Sequence, residues 1–222
     1  MSSGIATHRD NILRIHADDE NMNLGVLASS RGTNLQAIID ACESGDLEAR
    51  VALVISNNSK AEALARAQNA GISTKHVSTR THPDPDHAIF RALKSHQVDL
   101  VVTAGYMKKL GQQTLIAFKE RIINVHPSLL PRHGGKGMFG IHVHEAVIAA
   151  GDTETGATVH YVDGNYDTGD IIQQVRVLVE PTDTAESLAA RVLPIEHELL
   201  ITTLQELITK QCKQETEMPV PL

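Results

Sequence analysis

The chain has no tryptophan, and only three phenylalanines and three tyrosines among its 222 residues. Its core must therefore be built from Val, Ile, Leu and Ala, which suits a parallel sheet covered by helices. Cysteine is almost as scarce. Cys42 and Cys212 stand far apart and form no CxxC pair, so neither a disulfide scaffold nor a thiolate metal site is on offer. Reduced thiols in the cytoplasm fit that usage. No apolar run approaches the ~20 residues that cross a bilayer. Positive charge is in deficit: 20 Lys and Arg stand against 27 Asp and Glu, a formal net charge of −7. This argues against non-specific binding to nucleic acid, which needs a basic face. It leaves room for a small anionic ligand held by local donors.

A chain of this length fits one domain, at most two, and can bury a sizeable core. Residues 1–22 are polar and lack the apolar stretch of a signal peptide; they read as a leader without fixed structure. Residues 23–210 read as a single domain and 211–222 as a loose tail. Inside the domain, short apolar runs alternate with helical patterns. Strands are expected over 24–29, 51–56, 75–78, 98–104 and 121–126. Helices are expected over 35–41, 61–70, 86–96 and 114–119. That alternation predicts an α/β fold with a doubly wound, mostly parallel sheet and helices on both faces. After Pro131 come a helix over 144–150 and strands over 157–162 and 171–179, so the sheet should end in antiparallel pairs. A long helix over 184–208 contains Pro194, which should kink or divide it.

Two stretches carry chemistry. In Asn124-Val125-His126-Pro127, residues i and i+2 of a strand point to one face, and Pro127 ends the ladder. An amide and an imidazole then converge at the carboxyl end of a strand, where open α/β sheets bind ligands. The plainer reading is a strand-end turn with both side chains satisfied locally. The second stretch is Ser29-Ser30-Arg31-Gly32-Thr33-Asn34, a small-residue loop between a strand and a helix. A helix N-terminus offers free N–H groups and a positive dipole end, and Gly32 lets backbone approach an anion. Its plainer reading is an ordinary turn with Thr33 or Asn34 as N-cap. A third segment, residues 132–140, holds four glycines in nine residues and reads as a mobile loop beside the site.

The motif Asn124-x-His126-Pro127-Ser128-Leu129-Leu130-Pro131, followed by Gly156-x-Thr158-Val159 and by Asp167-x-Gly169, resembles the folate-dependent formyltransferases. The loop Arg31-Gly32-Thr33-Asn34 narrows the likeness to the purine-synthetic branch, and the resemblance spans roughly residues 24–207. It implies transfer of a formyl group from 10-formyltetrahydrofolate to the amine of phosphoribosylglycinamide. It assigns catalysis to Asn124, His126 and Asp167. It assigns substrate binding to Gly32, Thr33, Asn34 and Glu196. The folate pocket is assigned to Met107, Lys108, Lys109 and Leu110, and to Asp163, Gly164, Asn165 and Tyr166. No metal is implied, the partners are the two small molecules alone, and the chain is expected as a monomer or homodimer. Two departures are visible. The family's Arg near the helix starting at Asp84-Pro85-Asp86-His87 is missing, and the loop at 134–140 is longer, with Lys136 as a possible charge.

The proposed trio suits the reaction. An amine attacking a formyl amide creates an oxyanion, which Asn124 can meet with an N–H. A proton must reach the departing nitrogen, which His126 can carry. Asp167 beside it is expected to raise the imidazole pKa. Competing readings are weaker. Ser128 lacks a nucleophile-elbow context. His142-x-His144 with His133 or His160 would make a metal site without acidic ligands at a fitting spacing. A transferase acting on tRNA should carry a further RNA-binding domain, a hydrolase a regulatory one in front, and a binding module need not keep the trio.

Overall fold

The computed structural model describes residues 21–217; the leader expected over 1–22 falls, up to position 20, outside them. A seven-stranded sheet runs through the molecule. Its strands are β1 (Met22–Leu27), β2 (Ala49–Ser56), β3 (Thr74–His76), β4 (Leu100–Thr103), β5 (Ile122–His126), β6 (Glu154–Tyr161) and β7 (Ile171–Leu178). The helices are α1 (Thr33–Ser44), α2 (Glu62–Asn69), α3 (Pro85–Ser95), α4 (Gln112–Ala117), α5 (Ile141–Ala150) and α6 (Ala185–Glu217). The strand order is β3-β2-β1-β4-β5-β6-β7. The first five strands pair in parallel, and β6 and β7 join them antiparallel, as the sequence pattern predicts.

Strand alternation divides the core. Leu24 and Val26 of β1 pack on one face with Leu35 and Ile38 of α1 and with Leu200 and Leu204 of α6. Leu27, Leu53 and Ile55 pack on the other with Ile89 and Leu93 of α3 and Phe118. Gly25 is needed here, because a Cβ on it would lie 2.7 Å from Leu93 Cδ2. The chain leaves β3 at the sheet edge and returns to β4 beside β1. That reversal opens a crevice between the carboxyl ends of β1 and β4, where ligands bind in such sheets.

Three expectations are corrected. Pro194 lies inside one continuous helix, α6. Its missing N–H falls on an exposed position, where water can take the freed carbonyl, while Leu188, Val192, Leu199 and Leu200 bury the opposite side. The same helix runs on to Glu217, through residues expected as a loose tail; Lys, Gln and Glu there are good helix formers, and the rest of that expected tail, 218–222, lies outside the described residues. Finally, neither Thr33 nor Asn34 caps α1: the cap is Gly32, left-handed at φ 70°, with no side-chain hydrogen bond. Among the described residues no helix is long and apolar enough to cross a membrane.

Candidate active site

A cavity of about 750 Å³ opens at the carboxyl ends of β1, β4 and β5. Its floor is the Asn-x-His strand end. Asn124 and His126 both line it, with Asp167 from the loop after β6. The antiparallel register sets His160 of β6 directly opposite Asn124. The amide nitrogen of Asn124 donates to His160 Nε2 at 3.1 Å, since His160 Nδ1 donates to the Tyr161 carbonyl at 2.8 Å. Thr103 Oγ1 donates to Asn124 Oδ1 at 2.7 Å. Both ends of the amide are thereby assigned, and one N–H is left to serve a ligand.

His126 is held as firmly. Its Nε2 lies 2.8 Å from the carbonyl of His133; a carbonyl only accepts, so Nε2 carries the hydrogen. Its Nδ1 lies 3.7 Å from Asp167 Oδ2. Asp167 Oδ1 is 3.6 Å from His160 Nε2, and Oδ2 accepts the Gly135 N–H at 2.9 Å. Asp167 thus sits between two imidazoles. Burial works against ionisation of its carboxyl, but His160 and His126 in their charged forms and the Gly135 N–H outweigh that and hold its pKa below the ordinary value.

The expected rise in the His126 pKa is not what results. Burial dominates and lowers it; Asp167 and the His133 carbonyl push upward but only partly offset the desolvation. The imidazole is 3% exposed, and 3.7 Å is too long for a direct hydrogen bond to the carboxylate. Burial thus favours the neutral ring, and with its hydrogen on Nε2 the lone pair of that form sits on Nδ1.

The other end of the cavity is lined by Ser30, Arg31, Gly32, Thr33 and Asn34. With no side-chain cap on α1, the first-turn N–H groups border it. A Cβ on Gly32 would stand 2.7 Å from Ala63 Cβ and 2.8 Å from Ala63 Cα. Freed from capping, Asn34 donates from Nδ2 to Glu196 Oε2 at 3.3 Å. Glu196 shares its helix face with Glu186, Ala189 and Leu193, which also line the cavity. Burial raises its pKa to about 7, which the Asn34 hydrogen bond only moderates.

The residues assigned to a folate pocket divide. Met107 and Tyr166 line the cavity, but Lys108, Lys109, Leu110, Asp163, Gly164 and Asn165 do not. Leu110 is a core residue. Lys109 lies 5.1 Å over the Tyr166 ring. Asp163 braces its own turn by accepting from Asn165 N and Thr168 Oγ1. Where the family's Arg is missing, Asp84 caps α3 and Asp86 caps α4 through Gln113 N and Thr114 N. Lys136 does line the cavity, with Gly135, Gly137, Met138 and Phe139 of the glycine-rich loop.

His160, Thr103 and His144 were not singled out for this site. A signal for His160 was present: Thr158 and His160 repeat the i, i+2 polar pattern of Asn124 and His126. His144 is buried, lines the cavity and leaves Nδ1 without a partner. Of the four histidines that could ligate a metal, His142 pairs with Glu145 and His133 with Asp152, while His160 meets Asn124. Among the described residues no group of three or more His, Cys, Asp or Glu is arranged to hold a metal ion.

Residues 22–204 match the formyl transferase family. The chain belongs to that family. A phosphoribosylglycinamide formyltransferase of Haemophilus influenzae is 42% identical over 181 residues, covering 79% of this chain and 82% of its own. A chloroplastic phosphoribosylglycinamide formyltransferase of Vigna unguiculata is 37% identical over 210 residues, covering 93% and 67%. Among solved structures, glycinamide ribonucleotide transformylase 1 of Symbiobacterium toebii superposes with a TM-score of 0.80 at 38% identity, covering 86% of this chain and 89% of that one. This formyltransferase therefore has the fold of its relatives, and its activity is formyl transfer in purine biosynthesis.

Proposed function

We propose that this formyltransferase takes its formyl group from 10-formyltetrahydrofolate and delivers it to the amine of phosphoribosylglycinamide. The observation that carries the reading is the convergence of Asn124, His126 and Asp167 on one cavity whose far end is the uncapped start of α1. In this reading the substrate phosphate rests on the N–H groups of Gly32, Thr33 and Asn34, at the positive end of the helix dipole. Asn34 and Glu196 hold the glycinamide portion, and folate enters past Met107 and Tyr166.

The chemistry follows from protonation states. The amine attacks the formyl carbon, and the oxyanion takes the free N–H of Asn124, a donor typically worth about 10²–10³ in rate. Neutral His126 accepts the amine's proton at Nδ1, while Nε2–H stays on the His133 carbonyl. The resulting imidazolium is stabilised by Asp167 at 3.7 Å. It then returns the proton to the departing folate nitrogen, and the C–N bond to folate breaks. The histidine acts as base and then acid, a contribution of about 10²–10⁴.

The test is direct. Purified protein should consume 10-formyltetrahydrofolate only when phosphoribosylglycinamide is present, with formylated product appearing in equal amount. Consumption at the same rate without the amine would point to hydrolysis and overturn the reading.

A further inference from the structure

The segment Arg132-His133-Gly134-Gly135 touches both halves of the reacting machinery. The His133 carbonyl accepts from His126 Nε2 at 2.8 Å, and the Gly135 N–H donates to Asp167 Oδ2 at 2.9 Å. His133 reaches this position with φ at 54°, a left-handed conformation that non-glycine residues adopt only at a cost. Something outside must hold it there. That hold is Asp152: one carboxylate oxygen takes His133 Nε2 at 2.6 Å, and the other pairs with the Arg132 guanidinium. Asp152 itself rests on a fixed support. It follows the left-handed C-cap Gly151 of α5, and its N–H donates to the Val147 carbonyl at 3.3 Å.

We infer that Asp152 is a positioning residue: by gripping the side chains of Arg132 and His133 it fixes the carbonyl that holds His126 as the Nε2–H tautomer with Nδ1 turned to Asp167. The inference rests on the proton-carrying role proposed for His126. The geometry favours a purpose beyond packing. Asp152 grips His133, whose carbonyl holds His126, and the neighbouring Arg132, yet it does not line the cavity. Its carboxyl lies below its ordinary pKa, chiefly through the His133 hydrogen bond, so it remains a charged acceptor across neutral pH.

The experiment reads the tautomer directly. Protein labelled with ¹⁵N-histidine, free of ligands, should show His126 as a single species protonated at Nε2. Asp152→Ala should give a mixture of tautomers. His133→Asn should do the same, and Asn tolerates positive φ, so this variant carries the test should Asp152→Ala fail to fold. Asp152→Asn keeps only one acceptor oxygen and turns an NH2 toward either Arg132 or His133, so its tautomer mixture should fall between wild type and Asp152→Ala. In the transfer assay, Asp152→Ala and His133→Asn should lower kcat by about ten- to a hundredfold through misplacement of His126, with little change in either KM. A single Nε2–H tautomer persisting in both variants would overturn the inference, whatever their activity. Mixed tautomers with full transfer would uphold the positioning by Asp152 and instead overturn the role of His126 in catalysis.

Discussion

Asn124 and His160 face one another across the β5–β6 pair, amide nitrogen to imidazole nitrogen at 3.1 Å, while Thr103 holds the amide oxygen from the other side. An amide pinned at both ends presents a donor, never an acceptor, to the cavity.

Asn124→Asp should therefore fail as badly as Asn124→Ala, losing about 10²–10³ in kcat, because an ionised carboxylate offers no N–H to an oxyanion. His160→Ala should cost less, since it frees the amide to rotate without removing it. Steady-state kinetics rank the three variants; an Asp variant near wild type would sink the donor role. The Asn124→Ala and His126→Ala losses should combine to less than their product, as both act on one intermediate.

The second prediction concerns pH. Burial lowers the His126 pKa, and Asp167 opposes that lowering. The base form is required first, so kcat/KM should rise with pH along a limb lying below the ordinary histidine value of about 6.5. Asp167→Asn removes the upward push, so the limb should move further to the acid side. The plateau should fall as well, because the imidazolium loses its partner. An unmoved limb with full activity would falsify the role of Asp167.

Gly32→Val is expected to damage the amine substrate's site selectively. The left-handed φ of 70° and the backbone of Ala63 at 2.8 Å both exclude a side chain there. KM for phosphoribosylglycinamide should rise strongly, with folate affinity by calorimetry nearly intact. Parallel loss of both affinities would show a general collapse of the cavity instead.

Glu196 links binding to stability. Its folded pKa, about 7, lies above the ordinary carboxylate range. Between those two values the folded chain binds more protons than the unfolded one, so stability falls as pH rises through that window. The cost is full above pH 7. Glu196→Gln removes it and should raise Tm at pH 8 while leaving Tm nearly unchanged at pH 4, even as substrate binding weakens. Equal shifts at both pH values would exclude a titrating origin.

The glycine-rich loop supplies a further measurement. Gly135, Gly137 and Gly140 all adopt positive φ, and residues 135–140 line the cavity. Closure over ligands would exclude water and strengthen the electrostatics within. Limited proteolysis should cut this loop readily in free protein and slowly with both ligands bound.

The chain's local patterns made Asn124 and His126 legible, because period-two geometry needs only neighbours. Gly32 was legible for the same reason. His160 shows the same period-two pattern, but its place opposite Asn124 comes from antiparallel register with a strand more than thirty residues away. Pro194 does not divide α6, because the packed face carries the helix past it, and that face is set by the assembled fold. The pKa of His126 was misjudged for a related reason: a charged neighbour can be inferred from a motif, whereas the depth of burial is set by the assembled fold. Asp84 and Asp86 show the reverse: Asp84 caps its own helix α3, as local sequence allows, whereas Asp86, in the first turn of α3, caps α4 across a gap of more than twenty residues.

Asn34 and Glu196 lie 162 positions apart and meet in one hydrogen bond. Synthesis proceeds from the N-terminus, so the uncapped start of α1 and the Asn-x-His strand emerge from the ribosome long before β6 and α6 do. Until that last stretch docks, Asn124 lacks its imidazole partner and the cavity lacks a wall. A nascent chain thus carries the helix start and the strand end before it carries the elements that close the cavity around them.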